Sequence, residues 1–200
     1  MPSNTCPIRA PASLRESTLG FSLVELMVTV VILGVLLGLA IPGFRYINNS
    51  SRITAPANEL VASVQIARAE AVRRNARVVL CNSADGASCT AASTWTGWIV
   101  FADADRDATV DVGEVVLSNY RVAPPATVQS SAAVTNAALV FGSDGRARNT
   151  AGGLLQGVVR ICVATTLPND NVRDVAIGTG GSRLRIERRS AAACAAPGNS

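Results

Sequence analysis

Four groups of residues in this chain have the types and spacing to do chemistry. A single carboxylate, Glu25, stands near the start of an apolar run, Phe21 to Ile41, that carries no other formal charge. An acidic stretch, Asp103-Ala-Asp105-Arg-Asp107-Ala-Thr109-Val-Asp111-Val-Gly113-Glu114, has carboxylates at positions one, three, five, nine and twelve of a twelve-residue calcium loop. Thr109 offers its backbone carbonyl at position seven, and Ala108 replaces the glycine that makes the sharp turn at position six. The stretch Gly181-Ser182-Arg183-Leu184-Arg185-Ile186-Glu187-Arg188-Arg189 presents guanidinium forks suited to phosphate oxygens. Finally, Cys81, Cys89, Cys162 and Cys194 form an even set beyond the apolar run, with a fifth, Cys6, ahead of it.

Missing residue types narrow the chemistry further. The chain has no histidine, no Cys-x-x-Cys pair and no nucleophile motif, which argues against an enzyme and against a zinc site. It needs no cofactor, and calcium is the one ion its acidic stretch suits. All 18 basic residues are arginine. They are spread unevenly: Arg45 to Gly145 holds 8 arginines against 9 acids, whereas Arg146 to Ser200 holds 8 against 3. Two plainer readings stand beside the chemical ones. The acidic stretch also suits a solvated hairpin loop, and the arginine stretch a solvated strand.

The elements that must position these groups follow from periodicity. The 21 residues from Phe21 to Ile41 span about 31 Å as a helix, close to the ~30 Å hydrocarbon thickness of a bilayer. A carboxylate near the start of such a run costs about 2.5–3.5 kcal/mol at mid-membrane depth, less near the surface, and invites a partner charge. Pro42-Gly43 predicts local melting, and a break is expected between Asn48 and Pro56. Helical spacing returns with Leu60, Val61, Val64, Ala67, Ala71 and Val72 on one stripe, and Glu70 and Arg74 are placed to pair on the wet side. After Arg77 short apolar runs predict seven strands: residues 78–80, 97–101, 115–117, 138–141, 158–163, 172–177 and 183–186. On the last of these, Arg183 and Arg185 share one face while Leu184 and Ile186 turn to the core. Trp95, Trp98 and Phe101 read as core. The expected fold class is α+β: a long N-terminal helix, first transmembrane and then amphipathic, packed on a mostly antiparallel β-sandwich.

An ordinary secretory signal would place a small-residue cleavage site after a shorter apolar core. Here the run continues into Pro42-Gly43-Phe44-Arg45, so cleavage ahead of it fits better. Gly20-Phe21-Ser22-Leu23-Val24-Glu25 behind a short polar leader resembles the signal of type IV prepilins and pseudopilins. That resemblance implies cleavage after Gly20 by a prepilin peptidase and methylation of the new amino terminus at Phe21. It also implies that Glu25 pairs with the terminal ammonium of a neighbouring subunit in a filament core. Residues 57–80, Cys81, Trp95-x-Gly97-Trp98-Ile99-Val100-Phe101 and the acidic stretch are similar to the GspH/FimT family of minor pilins and pseudopilins.

On that resemblance, residues 1–20 are a leader, 21–45 a transmembrane and filament-core helix, 46–76 its amphipathic half, and 77–200 a periplasmic β domain. The expected location is the inner membrane, in a single pass, with other pilins or pseudopilins as partners. The arginine stretch, with Arg183, Arg185, Arg188 and Arg189, resembles a Gly-Arg-x-Arg motif through which FimT-type pilins bind double-stranded DNA during natural transformation, here with Ser182 intervening. The alternative is a GspH-like pseudopilin of a type II secretion system without DNA binding. Loss of Cys6 with the leader leaves four cysteines in an exported domain. Three pairings are open, of which Cys81–Cys89 and Cys162–Cys194 are favoured.

Overall fold

The computed structural model describes residues 20–199, without the side chains of residues 39, 40 and 42. The leader, with Cys6, lies outside the described residues apart from Gly20. Two compact units divide the chain, Met1–Ile41 and Pro42–Ser200.

Helix α1 runs from Leu23 to Arg74. The expected melting at Pro42 and break at Asn48 to Pro56 do not occur. A proline forfeits one backbone bond and bends a helix, but need not end it where the flanks bond normally. At Pro56 the burial of Ile53, Ala57 and Leu60 on the sheets holds the flanks helical. The helix stops at Asn75, which takes a left-handed φ of 50°. The Asn75 N–H donates to Val72 O (3.2 Å) and the Ala76 N–H to Ala71 O (3.1 Å), the two-bond closure that satisfies terminal carbonyls. Arg73 and Arg74 sit in the last turn, where cations offset the helix dipole, and both pair with Glu70 at 2.7 and 2.6 Å.

Ten strands follow: β1 (Arg77–Asn82), β2 (Thr94–Trp95), β3 (Gly97–Asp103), β4 (Val116–Arg121), β5 (Ala126–Ser130), β6 (Ala138–Phe141), β7 (Ala147–Arg148), β8 (Gly157–Val163), β9 (Val172–Ile177) and β10 (Leu184–Arg189). They form two five-stranded sheets, ordered β4-β3-β1-β6-β7 (sheet A) and β10-β9-β8-β5-β2 (sheet B). Every strand pairing is antiparallel. The apolar runs predict only seven of these strands. β2 and β7 are two residues long, and β5 alternates polar Thr127 and Gln129 with Val128, so none makes an apolar run.

One core joins three layers. Ile53, Ala57, Leu60, Val64, Ala67 and Ala71 from α1 meet Val78, Leu80, Trp98 and Phe141 of sheet A and Val128, Val159, Ile161 and Val175 of sheet B. Val72, expected on this stripe, is 55% exposed instead, and Ile53 extends the stripe at its other end. The alternate residues of sheet A (Val79, Cys81, Ile99, Phe101, Ala138, Val140) form a second cluster on its outer face, roofed by Cys89, Ala108 and Val110. Burial on both faces explains why these strands read as unbroken apolar runs. Both tryptophans are buried with their ring N–H groups satisfied: Trp98 donates to Ser63 Oγ of α1 (2.9 Å), Trp95 to Ser130 Oγ of β5 (3.3 Å).

Candidate functional site

The first unit presents Glu25 on helix α1, exposed and without an ion pair among the described residues. Around it, Leu23, Val24, Leu26, Met27 and Val28 are all more than half exposed, as is Phe21 ahead of the helix. Among the described residues, α1 is the one helix long and apolar enough to cross a membrane.

The acidic stretch is the β3–β4 connection, folded over the outer face of sheet A by the burial of Ala108 and Val110. Its carboxylates do not close into one ring. They fall into two groups whose oxygens lie within 4.8 Å of one another: Asp103, Asp105 and Glu114, and Asp105, Asp107 and Asp111. Asp103 is already committed. Arg77 Nε stands 2.8 Å from its Oδ2 as a charge contact rather than an aligned hydrogen bond, and the Arg106 and Ala108 N–H groups donate to it. Burial pushes the Asp103 carboxyl up, against the pull of Arg77 and those N–H groups. Glu114 accepts the N–H groups of Ala104 (2.7 Å) and Asp111 (3.2 Å). Thr109 donates its hydroxyl and N–H to Asp107, holding that carboxyl below its usual range. Asp111 is pushed up, first by the Asp107 charge. Ala108 takes a φ of 64°, the conformation the missing glycine would have supplied. Hard oxygen donors suit calcium, but only Asp105, Asp107 and Asp111 remain exposed to hold it.

The arginine stretch corrects two sequence expectations. Ile186 is not core: it lies at the sheet's edge and is 41% exposed, while Leu184 alone packs on the core. Arg183 precedes the strand, in the turn where its carbonyl accepts the Gly178 N–H (2.9 Å), so it does not share a strand face with Arg185. Nor are all four forks free. Arg185 Nε lies 2.7 Å from Glu187 Oε1, and Arg189 bonds Glu187 Oε2 and reaches Asp174 Oδ2 at 3.3 Å. Asp174 also receives both forks of Arg160, at 2.7 and 2.8 Å. These five residues form a ladder across β8, β9 and β10, because register sets Arg160 opposite Asp174 and Asp174 opposite Glu187. The Arg189 bond holds Glu187 below its usual range. Arg183 and Arg188 have no acidic partner among the described residues.

Sequence reasoning missed Arg160, Asp174 and Arg77. Only strand register reveals the first two as neighbours of the arginine stretch. It also missed Arg68, which is partly buried, donates to Gly181 O (3.2 Å) and lies 5.9 Å from the Phe141 ring centre. Gly181 is irreplaceable by geometry: at φ 68° an added Cβ would meet Ala147 O at 2.2 Å. Disulfides join Cys81 to Cys89 and Cys162 to Cys194. The first pins the outer-face loop of sheet A, the second the tail beyond β10.

A family profile described as type II transport protein GspH matches residues 56–181, and one described as a prokaryotic N-terminal methylation motif matches residues 17–41. The pilin-like protein PilA1 of Thermus thermophilus is 38% identical over 95 residues, 48% of this chain and 54% of that protein. The chain thus spans about half the length of the curated relative it matches. A crystal structure of the type IV minor pilin FimU of Pseudomonas aeruginosa (strain PAO1) superposes with a TM-score of 0.51 at 19% identity, covering 72% of this chain and 97% of that one. A second crystal form of FimU gives 0.49 at 19% identity, with 70% and 99% covered. At that identity the likeness concerns the fold, a long N-terminal helix on antiparallel sheets. With the GspH profile spanning more than half its length, behind an N-terminal methylation motif, the chain belongs to the type II transport protein GspH family of pilin-like subunits.

Proposed function

We propose that this chain is a minor, non-enzymatic subunit of a type IV pilus or type II secretion filament. In this reading a prepilin peptidase cuts after Gly20 and Phe21 is methylated. Residues 21–45 then anchor the chain in the inner membrane and later in the filament core, 46–76 continue the helix, and 77–200 form a periplasmic domain. The observation that carries it is the exposed apolar run of α1 with Glu25 as its one unpaired charge. Burying Glu25 beside the Phe21 ammonium of a neighbour makes two costly charges tolerable and fixes subunit register. Intact-mass measurement of membrane-extracted protein tests this: the chain should begin at a methylated Phe21. A retained leader, or loss of the apolar run, sinks the reading. Glu25→Ala should leave processing intact but reduce recovery in sheared filaments by on the order of a hundredfold, as expected for breaking a buried pair.

A second question is DNA. As a FimT-like pilin the chain would bind duplex phosphates without sequence preference, through Arg183 and Arg188 foremost, with Arg185 and Arg189 held back by Glu187. As a secretion pseudopilin it would not bind. A gel shift with the full chain in detergent at two salt concentrations separates them, since phosphate contacts weaken steeply with salt. Retardation lost in Arg183→Ala/Arg188→Ala supports the pilus; no retardation supports the secretion system. Neither reading requires a cofactor, and a calcium ion would be held by Asp105, Asp107 and Asp111.

A further inference from the structure

Strand β10 ends sheet B, so one side is paired to β9 from Leu184 to Arg189 and the other carries the unpaired N–H and C=O groups of an edge. The chain's own tail does not cover that side among the described residues. It crosses the outer face of sheet B instead: Asn171 bonds Ala191 in both directions, Arg160 donates to Ala195 O, and the Ala133 N–H donates to Asn199 Oδ1. The other edges differ. β2 and β7 have two residues each, and β4 carries a single cation, Arg121, already bonded to Ala84 O.

The side chains of β10 specify what would fit. Its core-side row is Leu184, Ile186 and Arg188, with Ile186 left 41% exposed at the rim. Its outer row is Arg185, Glu187 and Arg189, where two guanidinium groups already satisfy one carboxylate. Arg183 and Arg188 add two cations without an acidic partner among the described residues, and a cleft of about 420 Å³ opens beside Arg183, Leu184 and Arg185 at the strand's start.

We propose that the β10 edge takes an extended acidic segment of a neighbouring subunit as an added antiparallel strand. Main-chain hydrogen bonds continue the ladder, and cross-strand pairs choose the sequence. Apolar β-branched residues belong opposite Leu184 and Ile186, closing over the exposed isoleucine. Carboxylates belong opposite Arg185, Arg188 and Arg189. A neutral threonine belongs opposite Glu187, where a like charge repels. Read in the antiparallel direction, the segment is Glu-Glu-Thr-Val-Glu-Val. Arginines that merely guard the edge would find no such partner. Duplex DNA would use the same cations but neither the edge backbone nor Ile186.

The probe is a fluorescent peptide of that sequence, flanked by glycines, titrated against the full chain in detergent by anisotropy. Binding is expected. A peptide methylated on the backbone nitrogens that face β10 should bind about tenfold more weakly, since charge is kept and ladder donors are lost. Ile186→Asp and Arg188→Glu should each weaken binding by about tenfold, with near-ultraviolet circular dichroism unchanged; Arg183→Glu serves if either fails to fold. Equal binding of the methylated peptide overturns the proposal, as does no binding by a folded chain. Retardation of DNA without peptide binding overturns it in favour of nucleic acid. Only the source of the strand rests on the filament reading, which the mass measurement tests separately, so each can fail alone.

Discussion

Two stretches of α1 share a backbone conformation and follow opposite rules for side chains. From Leu23 to Leu37 most residues are bulky Leu, Val and Ile, and those on every side of the helix are more than half exposed. From Ile53 to Ala71 the buried stripe mixes large residues with Ala57, Ser63, Ala67 and Ala71, whose small side chains let the helix backbone lie close to the sheets. Helical propensity therefore says little about what either stretch does. What packs on each stretch goes with its composition: bulk where nothing in the described chain covers the helix, smallness where a sheet must approach.

The largest test of that contrast is truncation. Leu60→Ala removes a fully buried side chain and should cost about 3 kcal/mol, whereas Leu33→Ala should leave denaturant unfolding of the domain unchanged. Equal losses would erase the distinction. Next come charges. Asp174→Asn removes the charge and one of the two acceptor oxygens that Arg160 and Arg189 share and should destabilise by about 3 kcal/mol, while Glu25→Gln should not shift the same unfolding curve. Overpacking follows: Ala67→Leu should cost about 1–3 kcal/mol against the sheets, where Val35→Leu should be silent.

Two smaller effects sharpen the packed side. Glu70 is held at about 2 by hydrogen bonds from Arg73 and Arg74. A carboxylate depressed by folding stabilises above its unfolded pKa, so this contribution is complete above about pH 4.5 and fades as pH falls toward 2. Compared with Glu70→Gln, the wild type should melt higher by about two degrees at pH 6, an advantage that shrinks as pH falls and is lost below about pH 2, the pair being exposed. Millimolar calcium should raise the melting midpoint by about one degree, an increase lost in Asp105→Asn/Asp107→Asn. No change in the wild type removes calcium from the account.

The long apolar helix, the paired cysteines and the sandwich class were legible because each depends on local composition: an uninterrupted apolar run, an even cysteine set, short β-branched segments. The strands β2, β5 and β7 were not, since they are recruited by neighbours rather than by their own pattern. The continuity of α1 past Pro56 was hidden for a related reason. A local breaker is outweighed by burial of Ile53, Ala57 and Leu60, which no window of sequence displays. The arginine stretch was legible as a charge surplus, yet the pairing of Arg189 also drew on Asp174, thirteen residues upstream of Glu187 and opposite it only through antiparallel register.

The two indole rings give the fold a built-in optical readout. Trp98 reports the seating of the helix through Ser63, and Trp95 reports the closure of the second sheet through Ser130. Replacing either by phenylalanine leaves a single emitter, so one spectrum would follow helix undocking and the other sheet separation. If the helix leaves first, the Trp98 emission should redden before that of Trp95.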